Sequence, residues 1–364
     1  MDDLPPPVTA DPTPALPAAR PAMPRAAAIP CYAALDLGTN NCRLLVARPT
    51  ADGFRVIDAF SRIVRLGEGL GTSGRLAEDA MARAVEALEV CRAKMATRGV
   101  ARSRLIATEA CRSAANGRDF CSRVRDTTGL DLEIVDRATE ARLAALGCAP
   151  LVDPDAAGVV LFDIGGGSSE LVWMERPERR FDAEPRIRAW ISLPVGVVTL
   201  AERHGGVHVT PEIFDAMVEE VDGLLGAFPE GEALAREAAR LHMLGTSGTV
   251  TTMAGVHLDL PRYDRRRVDG IWMSDGDIAA VTRRLCAMSY DERVASPCIG
   301  HDRADLVLAG CAILEAIRSR FGCRRLRVAD RGLREGLLIE MMRADGAWRR
   351  RPRSWQRGRG GGRR

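Results

Sequence analysis

The apolar positions of this chain alternate between two periods from residue 31 onward. The stretches YAALDLG (from Tyr32), CRLLVARP (from Cys42) and FRVIDAFSRIVRLGEG (from Phe54) read as strands, with a turn at Thr39-Asn40-Asn41 between the first two. Ala77, Met81, Ala84, Val85, Leu88, Cys91 and Met95 then recur at helical spacing, and Gly99 ends the helix. A strand RLIATEA (from Arg104), a short helix around 118–127, a strand LEIVD (from Leu132) and a helix from about Thr139 to Leu146 follow. Strands alternating with helices predict an α/β sheet with covered faces.

The pattern then restarts. The apolar run GVVLF (Gly158–Phe162) leads into DIGGGSSELVW, and Asp163–Trp173 aligns without gaps on Asp36–Val46, 127 residues earlier. Both read strand, Asp-apolar-Gly turn, strand. A repeat of that length is too long for a solenoid and implies two domains of one architecture, each presenting a glycine hairpin to a shared cleft. Gly165, Gly166 and Gly167 strip the turn of side chains, which permits positive φ and close approach of a ligand to main-chain N–H groups. A third loop, Gly245-Thr246-Ser247-Gly248-Thr249, follows the strand RLHML and opens a helix at VTTMAG, an arrangement that suits an anion. Three such loops, two of them in repeat register, predict a phosphate clamp between two domains.

Composition narrows the class. The 364 residues fit about two domains. No run approaches the ~20 apolar residues of a membrane span, and no apolar leader follows Met1, so a cytoplasmic protein is expected. The ten cysteines show no Cys-x-x-Cys spacing and read as reduced, mostly buried small hydrophobes. His204 and His208 are four apart, but the intervening Gly-Gly-Val argues against a helical metal pair. The net charge of +3 hides an asymmetry: Arg349–Arg364 holds eight arginines and no acid, and without them the charge is −5. Residues 1–29, rich in Pro and Ala, and 346–364, rich in Arg and Gly, are expected to be disordered tails. Domain I is expected over 30–141 plus about 330–345, and domain II over 142–329.

The motifs resemble the actin-like phosphotransferase superfamily and, within it, the exopolyphosphatase and guanosine pentaphosphate phosphohydrolase (Ppx/GppA) family. The matching segments, in family order, are AALDLGTNNCRLLVAR, ATEACRSAANG, LEIVDRATEARL, LFDIGGGSSELV, LPVGVVTL, LGTSGTVTTMAG, RADLVLAGCAIL and RVADRGLREGLL. They cover about Tyr32 to Glu340. The resemblance implies two ribonuclease H-like α/β domains around a central cleft, in the short two-domain form, with Arg331–Met342 packed back on the first domain. A homodimer is expected.

Hydrolysis of a terminal phosphoanhydride needs a charge-neutralising cation, donors to the phosphoryl oxygens and a positioned water. Asp163, at a strand end before the glycines, can hold Mg²⁺ directly or through water, or can cap its own turn. Asp36 is its partner in the repeat and is expected to help hold the metal through a water. Glu170 lies on the return strand, on the same face as Ser168. The resemblance assigns Glu170 to the attacking water or the metal, Ser168 to a phosphoryl oxygen, and Glu140 to catalysis as base or water-orienting carboxylate. Thr139 is the expected N-cap that puts Glu140 in the first turn of its helix. The family typically writes Gly-Asn-Glu-Glu-Ala-Arg where this chain has Arg137-Ala-Thr-Glu-Ala-Arg142, so the first carboxylate of that pair is absent. Arg112 matches a phosphate-contacting arginine. Gly38, Thr39 and Asn40 form the phosphate loop of the first domain, and Gly166, Gly167, Gly245, Ser247 and Gly248 supply further donors. The basic stretches Arg262–Arg267 and Arg318–Arg327 are either polyanion tracks or solvated faces.

The implied activity is a Mg²⁺-dependent exopolyphosphatase acting on inorganic polyphosphate, with water positioned by Glu140 and Glu170. Guanosine pentaphosphate (pppGpp) 5′-phosphohydrolysis is the alternative that shares every motif. An actin-like kinase or nucleotide-dependent binding protein would leave the two glutamates surplus. RNA or another polyanion could be held by the Arg/Gly tail.

Overall fold

A computed structural model describes residues 29–176 and 184–348. Its first sheet comprises β1 (Tyr32–Leu37), β2 (Asn41–Thr50), β3 (Gly53–Ile63), β4 (Arg102–Ala107) and β5 (Glu133–Ile134), in the order β3-β2-β1-β4-β5. The β1–β2 and β2–β3 pairs are antiparallel; β4 and β5 continue the sheet in parallel. The second sheet comprises β6 (Gly158–Ile164), β7 (Ser169–Glu175), β8 (Ile187–Leu193), β9 (Leu241–Thr246), β10 (Trp272–Ser274) and β11 (Arg325–Val328), in the order β10-β11-β9-β6-β7-β8. Five of these strands, β8-β7-β6-β9-β11, repeat the order and sense of the first sheet, and β10 adds an antiparallel edge. The fold is α/β: two mixed sheets of one ribonuclease H-like strand order, with the turns of both β1–β2 and β6–β7 lining one cleft.

The repeat holds in register. Asp36 faces Arg43 across β1 and β2, and Asp163 faces Glu170 across β6 and β7. The central strands β1 and β6 are buried almost throughout, as expected of strands covered on both faces.

Helices complete the layers. Glu78–Thr97 and Gly117–Thr128 pack their apolar faces on the first sheet through Met81, Leu88, Phe120 and Val124. Pro211–Leu225 and Val307–Phe321 belong to the largest core, on the second sheet. Between the domains lies Arg137–Cys148, buried nearly throughout from Glu140 onward. Its Leu143 joins the core of Tyr32, Ala34 and Ile106, while Ala141, Ala144 and Cys148 pack on Val159, Leu161 and Val172. The expected domain border at 141/142 therefore falls inside a helix shared by both sheets.

Leu333–Ala344 packs Leu337, Leu338, Met341 and Met342 against the first sheet. It crosses Arg137–Cys148 at two glycines: a Cβ on Gly336 would lie 2.1 Å from the Leu143 carbonyl oxygen, and one on Gly147 would lie 1.9 Å from that of Gly332.

Three local readings are corrected. Strand β4 stops at Ala107, and Glu109 and Ala110, read as the end of that strand, open a short helix, Glu109–Ser113. The N-cap of Arg137–Cys148 is Asp136, whose carboxylate accepts from the Thr139 N–H at 2.7 Å; Glu140 still falls in the first turn. Trp348, placed by sequence in the C-terminal tail, donates its indole N–H to the Thr50 and Gly53 carbonyls on the first domain. The rest of the two expected tails, 1–28 and 349–364, lies outside the described residues. Among the described residues no helix is long and apolar enough to cross a membrane.

Candidate active site

The two hairpins meet at one cavity, and the glycines are what let them meet. A Cβ on Gly166 would lie 2.9 Å from the Thr39 Cβ, and one on Gly167 would lie 2.8 Å from Thr39 Oγ1 and 3.1 Å from Glu109 Cγ. None of Gly165, Gly166 and Gly167 has a positive φ, contrary to the expectation of left-handed backbone. For Gly166 and Gly167 the requirement is close approach of one domain to the other; a Cβ on Gly165 would meet the Ser168 carbonyl of its own turn at 2.8 Å. The carbonyls of Gly165 and Gly166 accept from Val197 and Val198 at the N-terminus of the helix Val197–His204, which anchors the turn from behind.

The cavity brings together Asp36, Gly38, Thr39, Asn40, Glu140, Asp163, Gly166, Gly167, Ser168, Glu170, Ser247 and Gly248, all named from sequence. Glu170 is 6% exposed and Glu140 7%, so each carboxyl is almost dehydrated. Ser168 Oγ (2.9 Å) and Ser192 Oγ (2.8 Å) both donate to Glu170 Oε1. The Ser168 hydroxyl, expected on a phosphoryl oxygen, is thus engaged by Glu170. Asp163 Oδ1 accepts from Ser247 Oγ, another expected phosphate donor. Ser247 itself has φ of 75°, a strained value for a residue with a Cβ, at the start of the helix Ser247–His257.

Burial pushes the Asp36 carboxyl up to about 6, against the pull of Arg43 and Arg334. It raises Asp163 too, against Ser247, Arg43 and Arg334. Glu170 is raised by burial and by Asp163, and its two serine donors oppose the shift. Glu140 is raised by burial and by Glu170, and Arg112 opposes the shift. Several carboxyls crowded into a dry cleft are the electrostatic arrangement of an acid–base site.

Two expected phosphate ligands do not line the cavity. Arg112 donates to the Val135 carbonyl (2.6 Å), contacts Glu140 Oε2 (2.7 Å) and pairs with Glu109. Its guanidinium is thereby committed to holding Glu140 rather than a ligand. Gly245 lies within β9, where a Cβ would meet the Phe162 ring at 2.6 Å; its smallness serves packing of strand on strand.

Other residues are there that the sequence reading did not name. Arg43 lines the cavity; its guanidinium makes no hydrogen bond or ion pair with a described residue and reaches toward Gly248 of the opposite domain. The repeat alignment carried the signal: Arg43 stands where the second domain has Glu170. Arg303 lines it as well and donates to Thr252 Oγ1 at 3.1 Å. Glu109 is held by Arg112, Arg137 and Ser113. Most of the basic stretch Arg318–Arg327 is bound to the protein itself: Arg318 to Glu315 and Asp275, Arg320 to Asp222, and Arg325 to Asp153. Arg265 pairs with Glu335, while Arg262, Arg266 and Arg267 are exposed. His204 bonds Glu220, not His208.

The donor set suits Mg²⁺. The described residues hold no ready group of three His, Cys, Asp or Glu ligands. Mg²⁺ does not require one, because it keeps waters and binds through one or two carboxylates plus substrate phosphate. Asp36 and Asp163 stand on facing hairpins. The carboxamide oxygens of Asn40 and Asn41, beside them, are buried without a hydrogen-bond partner. A cation with its water shell would satisfy both the acceptors and the crowded negative charge.

Residues 45–345 match the sequence profile of the Ppx/GppA phosphatase family. The chain is 29% identical over 327 residues to exopolyphosphatase 2 of Mycobacterium tuberculosis, covering 85% of this chain and 98% of that one. It is 28% identical over 328 residues to the guanosine-5′-triphosphate,3′-diphosphate pyrophosphatase of Photobacterium profundum, covering 86% of this chain and 59% of that one. The crystal structure of the Aquifex aeolicus Ppx/GppA family member superimposes with a TM-score of 0.70 at 28% identity, covering 87% of this chain and 99% of that one. With the repeat, the facing hairpins and the paired glutamates already in place, the match over most of the chain shows that this protein belongs to the Ppx/GppA phosphatase family.

Proposed function

We propose that the protein is a Mg²⁺-dependent exopolyphosphatase that hydrolyses the terminal phosphoanhydride of inorganic polyphosphate and releases orthophosphate. The observation that carries this reading is the pair of dehydrated carboxyls, Glu140 from the shared helix and Glu170 from β7, in a cavity walled by the hairpins of both domains. A kinase must exclude water from the phosphoryl group; a hydrolase must aim it. Glu140, buried at the cavity wall with the Arg112 guanidinium 2.7 Å from its Oε2, would take the proton of the attacking water in its ionised form, which Arg112 favours against burial. Glu170, with one oxygen saturated by serine hydroxyls, offers the other to orient that water. Arg43 and Arg303 would meet the phosphoryl oxygens, and main-chain N–H groups of Gly166 and Gly167 would add donors. Asp36 and Asp163 would hold Mg²⁺, which when bound supplies positive charge to the transferred phosphoryl group.

The relative from Photobacterium supports guanosine pentaphosphate as a second substrate, since its name states action on that nucleotide. Purified protein with Mg²⁺ and, separately, long-chain polyphosphate, guanosine pentaphosphate and ATP distinguishes these. The expected order of orthophosphate release is polyphosphate first and ATP last. Phosphate transferred from ATP to an acceptor, with no release from polyphosphate, would overturn the hydrolase reading.

A further inference from the structure

We propose that Ser192 is a positioning residue that fixes which oxygen of Glu170 faces the attacking water; this rests on the hydrolase reading above. Glu170 and Ser192 are direct partners in the β7–β8 register. The Ser192 hydroxyl donates to Glu170 Oε1 at 2.8 Å, and the Ser168 hydroxyl reaches the same oxygen at 2.9 Å. The two donors come from different strands and converge on one atom. A carboxylate with a single donor can exchange its oxygens by a half-turn about its terminal bond. Two hydroxyls built into adjacent strands hold Oε1 on the sheet side and leave Oε2 for the cleft.

Ser192 itself does not line the cavity, whereas Ser168 does. Set back from the cavity wall, its hydroxyl acts on the site through the bond to Glu170. It also lies on β8, outside the glycine hairpin, and removing its hydroxyl leaves the phosphate loops intact. A serine facing a buried glutamate across two strands is otherwise an unusual choice. Positions facing each other in a sheet interior are normally filled by apolar or β-branched side chains.

The test is orthophosphate release from long-chain polyphosphate by Ser192→Ala, Ser192→Thr and the double variant Ser192→Ala/Glu170→Gln, each checked by melting temperature. Ser192→Ala should lower kcat by about 10- to 100-fold, the usual effect of losing a partner behind an active-site ligand, with KM within about twofold. Ser192→Thr keeps the hydroxyl on a side chain strands accept, and should restore most of kcat. The double variant should be no slower than Glu170→Gln, because the positioned group is already gone. Wild-type kcat in Ser192→Ala, a Ser192→Thr variant as slow as the alanine, or a further loss on top of Glu170→Gln would each overturn the proposal. If Ser192→Ala does not fold, Ser192→Val, which lacks the hydroxyl on a β-branched side chain that strands accept, takes its place with the same expected loss and the same overturning result. Near wild-type kcat in Glu170→Gln alone would instead remove the hydrolase assignment of Glu170, a different failure.

Discussion

Glu140 and Glu170 reach the same cavity from different parts of the chain, and each is buried at a cost that an amide would not incur. Glu140→Gln and Glu170→Gln should therefore fold as well as the wild type or better, while losing on the order of 10²-fold or more in kcat, since aiming and deprotonating water are transition-state tasks. Two stable variants that retain near wild-type kcat would remove the pair from the chemistry. The cation site makes a separate prediction. Asp36 titrates near 6 because it is buried, so it is charged and ready for a cation at pH 7.5 and largely neutral at pH 5. A carboxyl raised in the folded state stabilises the fold at low pH, and that contribution is lost as pH rises through about 6. Bound Mg²⁺ should offset that loss. The Mg²⁺-induced rise in melting temperature is thus expected to be larger at pH 7.5 than at pH 5, measured by scanning calorimetry. His242, whose burial lowers its imidazole pKa, opposes the trend in the metal-free protein but sits at the start of β9, at the far end of that strand from the cleft, and cancels in the comparison. An equal or larger increment at pH 5 would argue against carboxylate-held Mg²⁺. At this scale the carboxylates were legible because each interrupts an apolar or small-residue run. Their partners were not: nothing local in the sequence says that Ser192 meets Glu170, or that Arg112 turns to Glu140 instead of the ligand.

Among the elements, the strands and the long helix were readable from period alone, because β1, β6 and Glu78–Thr97 each bury a face in the expected rhythm. The readings failed where tertiary contacts override local preference. Thr108–Ala110 follows the apolar run Leu105–Ala107 without a break signal, yet Glu109 opens a short helix, where its carboxylate pairs with Arg112 and Arg137. The periodicity alone predicts only a short helix from about Thr139 to Leu146 where the helix Arg137–Cys148 lies. Its alanines and Gly147, which allow contact on both sides, show that it is the axle of the two sheets. The crossing with Leu333–Ala344 tests this. Gly336→Ala places a methyl carbon against the Leu143 carbonyl, a backbone atom that cannot swing away. In an exposed helix the same change would stabilise, since alanine is the better helix former by up to about 1 kcal/mol. Here the expected outcome is a loss of about 1–3 kcal/mol from overpacking, read from urea unfolding. A stability equal to or above the wild type would mean that the two helices are not in backbone contact.

For the whole molecule, the repeat made the two-domain plan legible, while the way the domains are clasped was not. Arg65 forks onto Asp305 (2.9 and 3.1 Å), and the Gly69 N–H donates to Glu202 (2.9 Å) on the helix Val197–His204, so segments far apart in sequence are tied across the cleft. The arginine-rich segment 349–364 lies outside the described residues, but its point of departure is set. Trp348 is tied to the β2–β3 hairpin through Thr50 and Gly53. Thr50 is nine residues along β2 from Asn41 at the cleft, about 30 Å at the rise of a strand. Sixteen residues span at most about 55 Å, so the segment is long enough to return to the cleft mouth. Eight arginines with Trp355 among them would bind a polyanion by charge and stacking, without a sequence preference. Deleting 349–364 should then raise KM for long polyphosphate at low salt, flatten the salt dependence of that KM, and leave short chains unchanged. Because counterion release scales with the number of phosphates neutralised, the difference between full-length and shortened protein should shrink as salt is raised. Identical KM values for long chains at low salt, with and without the segment, would leave RNA or no partner at all as its remaining roles, and RNA binding by the full chain but not the shortened one would decide between those two.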